Sequence, residues 1–318
     1  MPHAPVLPAL AAIPSPPIGG FELGPLDVRF YGVLIALGAY LALQWTVRRY
    51  EAMGGDVALA ERAALAAILF GFLGARIGYV IPRLDRFLDA PLTILAIWQG
   101  GLALFGGLTA GTLAVIVVTR RGGGDVARMA DAVAPGLPLA QAIGRWGNYF
   151  NEELYGRPTD LPWALRVEDR TDRFRDLYPD ATTFHPTFLY ESLWNLALVG
   201  LLLRLDRRRA LPRGALILVY AVGYGLGRFL VELLRIDTVD RYAGLSRNNW
   251  LALLLVVGGI AGLLRMRATA ADTTDDATSD TTGDTTGDTT GDAADEAPSD
   301  AADDTAGAPG PSGADDDA

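Results

Sequence analysis

The sequence predicts an all-α polytopic membrane protein of about seven transmembrane helices, and three observations carry that reading. Half of the 318 residues are apolar. Apolar runs of 17 or more residues recur along the chain, long enough to cross a hydrocarbon core. Charge is also segregated: residues 268–318 hold 15 acidic residues and no basic one, leaving 22 acidic and 27 basic residues, a net of +5, in 1–267. The overall net charge of −10 therefore belongs to the tail.

The spans expected are Tyr31–Val47, Ala63–Ile81, Leu102–Thr119, Val126–Ile143, Thr187–Leu203, Gly214–Leu234 and Asn249–Leu264. The fourth is the weakest, because it holds Asp131, Pro135 and Pro138. Residues 92–101 (LTILAIWQGG) suit a short surface helix or a re-entrant turn before the third span. This gives an N-terminal segment 1–24, a seven-helix domain 25–267 with one extramembrane insert at 144–185, and a tail 268–318. The tail repeats TTGD three times and has almost no large apolar residue, so it is expected to be disordered. The N-terminus lacks a basic n-region and is broken by Pro, unlike a cleaved signal peptide.

Arginine density sets the expected orientation. The flanks 48–62, 120–128, 204–213 and 265–267 carry 13 Arg in 37 residues; the opposite flanks carry 12 in 95. The dense set is expected in the cytoplasm, with the N-terminus and the insert outside and the tail inside. All 27 basic residues are Arg, which reads first as coding bias. With no Cys, disulfides, thiolate metal sites and a cysteine nucleophile are excluded, and two His are too few to suggest a His-rich metal site. Neither a metal nor another cofactor is expected, nor a nucleic-acid partner.

Ionisable side chains within spans are costly in lipid and point to partners or wet cavities. Arg76, Asp131, Glu191, Arg228 and Glu232 are in this position. Tyr224, Arg228, Glu232 and Arg235 follow at spacings of four, four and three, on one helical face. Two readings stand for them: an internal ion pair that holds helices together, or an anion site in which a carboxylate fixes an arginine. The segment Gly144–Arg157 (GRWGNYFNEELYGR) is far more polar than a plain connection needs, with Arg145, Asn148, Asn151 and Glu153 close together. Arg145 reads either as an interfacial, snorkelling arginine or as part of a site. Next comes His185–Glu191 (HPTFLYE), where Pro186 suits a helix start and Glu191 shares a face with Asn195. His185 reads as a hydrogen-bonding group at that start or as a catalyst.

Taken together, GRWGNYFNEELYGR, RFYG (29–32), GARIGYV (74–80), WQGGLALFGG (98–107), HPTFLYE (185–191) and YGLGRFLVELLR (224–235) resemble the motifs of the prolipoprotein diacylglyceryl transferase family, in the family's order. The resemblance implies a multi-pass enzyme of the bacterial plasma membrane. It implies transfer of the diacylglyceryl group of phosphatidylglycerol to the lipobox cysteine of a prolipoprotein signal peptide, giving a thioether and glycerol 1-phosphate. By motif match, Arg145 and Arg228 would be the catalytic or phosphate-binding arginines. Tyr31, Asn148, Glu153, Gly156, Tyr224 and Glu232 would support the lipid cavity, with Arg76, Asn151, Glu191 and Arg235 as further substrate-binding candidates. The chain departs from the family at Phe105, where better-studied members have His, so a mechanism with that His as base does not carry over. A rival reading is an organic-anion transporter or channel with Arg228 and Arg76 along its path. That reading favours an internal repeat, and no convincing repeat is present. A non-catalytic lipid-binding scaffold is a third. Neither accounts for the six motifs together.

Overall fold

A computed structural model describes residues 12–24, 26–96, 100–168, 172–237 and 241–282. The chain divides into Met1–Ala270 and Ala271–Ala318, and all packing described below lies within the first unit. Helices α1 (Phe30–Ala52), α2 (Val57–Val80), α3 (Leu104–Arg121), α7 (Thr187–Arg207), α8 (Ala215–Glu232) and α9 (Arg247–Thr282) follow the apolar runs. Six helices are long and apolar enough to cross a bilayer. Their outward faces carry exposed side chains such as Leu65, Leu69, Leu108, Leu113, Leu196 and Leu254, as expected where lipid rather than water is the surroundings.

The expected fourth span, Val126–Ile143, is corrected. It is two helices, α4 (Val126–Val133) and α5 (Gly136–Phe150), meeting at Ala134 and Pro135. Pro135 and Pro138 remove backbone donors and end the first half. The freed groups find partners. Arg49 donates to the carbonyls of Asp131 and Ala132 and pairs with Asp206 at 3.0 Å. The Asp131 carboxylate accepts from the Gly214 and Leu216 amides at 2.6 and 3.0 Å, capping the N-terminus of α8. The residue that weakens the fourth span by composition therefore anchors α8.

Helices α2 and α3 meet through small residues. A Cβ at Gly74 would lie 2.5 Å from the Gly106 oxygen, and one at Gly106 2.3 Å from the Gly74 oxygen, so only glycine permits this backbone contact. The Gly-rich run 100–107 thus packs one helix on another, and Phe105 points outward, 52% exposed. Between α2 and α3, residues 91–95 form a 3-10 turn, a tighter version of the short surface helix expected there; Ile97, Trp98 and Gln99 lie outside the described residues.

The insert has its own small core of Tyr155, Leu165, Val167, Phe174, Phe184 and Phe188. Its strands β3 (Leu165–Arg166) and β4 (Thr183–Phe184) pair antiparallel. Residues 13–15 lie against it: Ile13 exchanges hydrogen bonds with Ala164 and Arg166, and Ser15 donates to the Arg166 carbonyl. The N-terminal segment and the insert therefore occupy the same side, as the orientation reading requires of them. At the other end, α9 continues to Thr282, past the point where the sequence suggests that order stops. The extension is rich in Thr and Asp, weak helix formers, and continues a helix that the apolar run before it has already nucleated. Residues 283–318 lie outside the described residues.

Candidate active site

Three helix ends converge where the insert meets the membrane helices. Helix α5 supplies Arg145 and Asn148 from its last turns. Helix α7 starts just after Pro186 and places Glu191 one turn in; α8 supplies Arg228 and Glu232 from its final turn. The Ser192 hydroxyl donates to the Ala142 carbonyl and the Trp194 indole to the Gly223 carbonyl, so α7 is pinned to both neighbours.

Glu191 is the hub. Its Oε2 lies 2.6 Å from Arg145 Nε and its Oε1 2.9 Å from Arg228 Nη1. One buried carboxylate thus holds guanidinium groups from two helices. Arg228 also reaches Glu232 through Nη2 at 2.7 Å, the ion pair expected within α8. Arg235 lies 3.7 Å from Glu232 and grips Asp237 with two hydrogen bonds of 2.8 and 2.6 Å. Burial alone would raise the Asp237 carboxyl, but the hydrogen bonds and charge of Arg235 outweigh it and hold the group below the usual carboxylate range. Three arginines therefore face three carboxylates. The second oxygen of Glu232 accepts from Ser246 and Asn248, both at 2.9 Å.

Neither Arg145 nor Arg228 uses all of its nitrogens in these contacts. Arg145 uses Nε toward Glu191 and Nη1 toward Asn148, leaving Nη2 without a partner among the described residues; Arg228 uses its two terminal nitrogens and leaves Nε. A second anion could share these free N–H groups, whereas the carboxylates are committed to arginine. A narrow, partly open cleft borders the pair and is lined by Glu191, Trp194, Asn195, Tyr224, Gly227 and Arg228.

The other residues singled out in the sequence fall into three groups. Asn148 bridges Arg145 to Glu153 at 3.2 and 2.8 Å, and Asn151 also donates to Glu153 at 3.3 Å. This turn includes Glu152 and Leu154 with φ of 48° and 61°, left-handed values that cost non-glycine residues energy and often mark functional loops. Tyr31 packs on α5 at Gly147, where a Cβ would sit 2.7 Å from its ring. Gly156 ties the insert to α7 and α8: its amide donates to the His185 carbonyl, and a Cβ there would lie 2.8 Å from His185 Cβ and 3.1 Å from the Leu234 oxygen. Tyr224 lines the cleft and stacks on Tyr220.

Arg76 stands apart. All of its nitrogens donate to backbone carbonyls, those of Thr93, Ile94, Gly100, Gly101 and more distantly Ala96. That binds the 93–101 segment to α2 and puts no free edge toward a ligand. His185 accepts or donates at Nδ1 with the Tyr190 hydroxyl at 3.1 Å, and Trp163 donates to the same hydroxyl at 3.0 Å. Burial, with the Arg157 charge second, lowers the His185 pKa. Among the described residues no group of three or more His, Cys, Asp or Glu side chains is placed to hold a metal ion.

Sequence reasoning missed Asp237, Ser246 and Asn248, which fix Arg235 and Glu232, and gave no role to Trp194. Their only signal was polarity at the mouth of a span.

The prolipoprotein diacylglyceryl transferase family model matches residues 19–265. The chain is 45% identical to the phosphatidylglycerol–prolipoprotein diacylglyceryl transferase of Frankia alni over 81% of its own length and 68% of that protein's. It is 41% identical to the protein of that name from Paenarthrobacter aurescens, over 82% and 86% of the two chains. For the Corynebacterium diphtheriae protein, again of the same name, the figures are 39%, 81% and 95%.

Proposed function

The chain belongs to the prolipoprotein diacylglyceryl transferase family, and from that premise we propose how its residues carry out the transfer. It is a membrane-embedded transferase of the first step of lipoprotein lipidation, with phosphatidylglycerol and a prolipoprotein as substrates. The acceptor is the thiol of a lipobox cysteine in the prolipoprotein signal peptide. Its sulfur attacks the glyceryl carbon next to the phosphate. The C–S bond forms as the C–O bond breaks, and glycerol 1-phosphate departs carrying the balance of charge and proton. No nucleic acid, metal or further cofactor enters the scheme.

The observation behind this assignment is the single Glu191 carboxylate holding Arg145 at Nε and Arg228 at Nη1 beside a partly open cleft. Arginine keeps its proton at neutral pH, so these groups act as anion holders. They bind the phosphate, stabilise the charge that grows on it, and favour the thiolate, whose pKa would otherwise be about 8.5 or higher near lipid. Glu232 and Arg235 orient Arg228; Asn148, Asn151 and Glu153 orient Arg145. Tyr31, Gly156 and Tyr224 shape the walls, and Arg76 holds the 93–101 segment in place. A dedicated side-chain base is not required, since the departing phosphate or water takes the thiol proton.

The test uses the purified chain, labelled phosphatidylglycerol and a lipobox peptide, scored for labelled peptide. Arg145→Lys and Arg228→Lys each keep the charge but lose the planar fork. Each should lower turnover about 10²–10³-fold, the usual cost of one transition-state donor. Near-normal turnover in both at normal protein levels would reduce the arginines to helix-to-helix pairs. For orientation, the N-terminus and residues 144–185 face outward and the Arg-dense loops and C-terminus face the cytoplasm. Reporter fusions at Arg121 and after Arg267 should both read cytoplasmic, and a periplasmic signal at either reverses the assignment.

A further inference from the structure

One turn deeper on α7 than Glu191 lies Asn195, only 2% exposed. Its Oδ1 is buried without a hydrogen-bond partner, and its amide nitrogen also bonds to no described residue. Yet it borders the cleft together with Tyr224 and Arg228. Buried carboxamides are almost always satisfied, so one that faces a cleft with both ends unused marks the place of something that bonds to it.

The surroundings narrow what that is. The layer beneath the ions is polar but uncharged. Gln141 lies one turn below Arg145 and donates to the Tyr220 hydroxyl at 2.9 Å, while its own Oε1 is also buried and unpaired. Tyr220 stacks on Tyr224, which faces the cleft. A carboxamide offers one acceptor and one donor side by side. A hydroxyl answers both; an ammonium only donates and a phosphate oxygen only accepts. Four residues of helix rise, about 6 Å, separate the Asn195 layer from the Glu191 layer. A short hydroxylated carbon arm attached to a phosphate on Arg228 spans that distance.

We propose that Asn195 recognises the glycerol headgroup of phosphatidylglycerol by hydrogen bonding its hydroxyls, and so selects a polyol phospholipid over one without hydroxyls. This rests on the assignment of the phosphate to Arg145 and Arg228 made above. Asn195 is a specificity residue of the leaving group, separate from the arginines that stabilise its charge.

The experiment compares phosphatidylglycerol with phosphatidylpropanol, which has the same phosphodiester and arm length but no headgroup hydroxyls, as donors to a lipobox peptide. The wild-type chain should prefer phosphatidylglycerol about tenfold or more in kcat/KM, because a site built to bond a hydroxyl is left unpaired by the analogue. Asn195→Leu should bring that preference to within about threefold, with the loss falling on phosphatidylglycerol. Asn195→Ala gives the same reading if the leucine variant does not accumulate. The proposal is overturned if the wild type does not discriminate, a measurement that needs no variant. It is also overturned if the substitutions leave the ratio unchanged, as they would were water the only occupant, or lower both lipids in proportion. Arg145→Lys should lower both lipids alike. If it and Arg228→Lys change neither, the phosphate assignment fails, while the donor ratio still reports on Asn195.

Discussion

Arginine is buried in two places near the bilayer, and the two are satisfied in opposite ways. Arg76 gives every nitrogen to carbonyl oxygens of Thr93, Ile94, Ala96, Gly100 and Gly101, and among the described residues it makes no ion pair with a carboxylate. Arg145 and Arg228 rest on Glu191 by one edge and keep N–H groups for something else. An arginine within a span costs about 2.5–3.5 kcal/mol on insertion scales, so each needs compensation. The difference lies in what remains after compensation. Carbonyls use up the fork and leave a structural brace; a shared carboxylate fixes the fork and leaves a binding edge. The same residue type, equally improbable in lipid, is thus a strut in one place and a candidate catalyst in the other.

The comparison breaks most sharply at Glu191. Glu191→Gln removes the charge that fixes both guanidinium groups, leaving buried cations underpaired, at about 3–5 kcal/mol of stability. Turnover per folded molecule should fall by about 10² or more, because both arginines lose their aim at once. If stability drops but the folded enzyme keeps its rate, the cluster is only a brace like that of Arg76. Arg76→Met should behave in the opposite manner. It strips donors from carbonyls that cost about 1–3 kcal/mol each when buried and unpaired. Its melting temperature and yield should fall while turnover of the folded fraction stays within about threefold. A large loss of rate at wild-type stability would move Arg76 into the site.

The smallest effects are expected at His185 and Phe105. In the base-free scheme His185→Gln retains substantial transfer, and Phe105→Leu is tolerated because Phe105 points outward. The wild-type rate should show no inflection below 6.5 that His185→Gln removes. Stability tells a separate story. Because the folded pKa of His185 is lowered, the unfolded chain binds more protons below pH 6.5. Its contribution is therefore complete above that value and is lost as pH falls toward the folded pKa. Melting curves from pH 7.5 to 5 should show a decline that His185→Gln lessens. Abolished transfer in a folded His185→Gln protein would make His185 the base.

Much of this was legible in the sequence, for reasons that also mark its limits. Helical period placed Arg228 and Glu232 on one face, and they do pair, because neighbours four apart on a helix are set by geometry alone. That Glu191 is the hub was not legible: its partners come from two other helices, and no periodicity reports on another helix. Ser246 and Asn248 were missed for the same reason, since they reach Glu232 across a turn between helices. For Arg76, composition registers a charge in a span without registering that its nitrogens touch backbone carbonyls. The fourth span was marked by Asp131 and two prolines, but not the use to which the fold puts them.

That broken span has a consequence for how the protein is made. Asp131 leaves the ribosome long before its acceptor duties can begin, since Gly214 and Leu216 follow 83 and 85 residues later. Until then its carboxylate has no amides to cap and no reason to leave the water. The Asp131 contacts that tie the half-helix Val126–Val133 to α8 can therefore form only after Gly214 and Leu216 have been made.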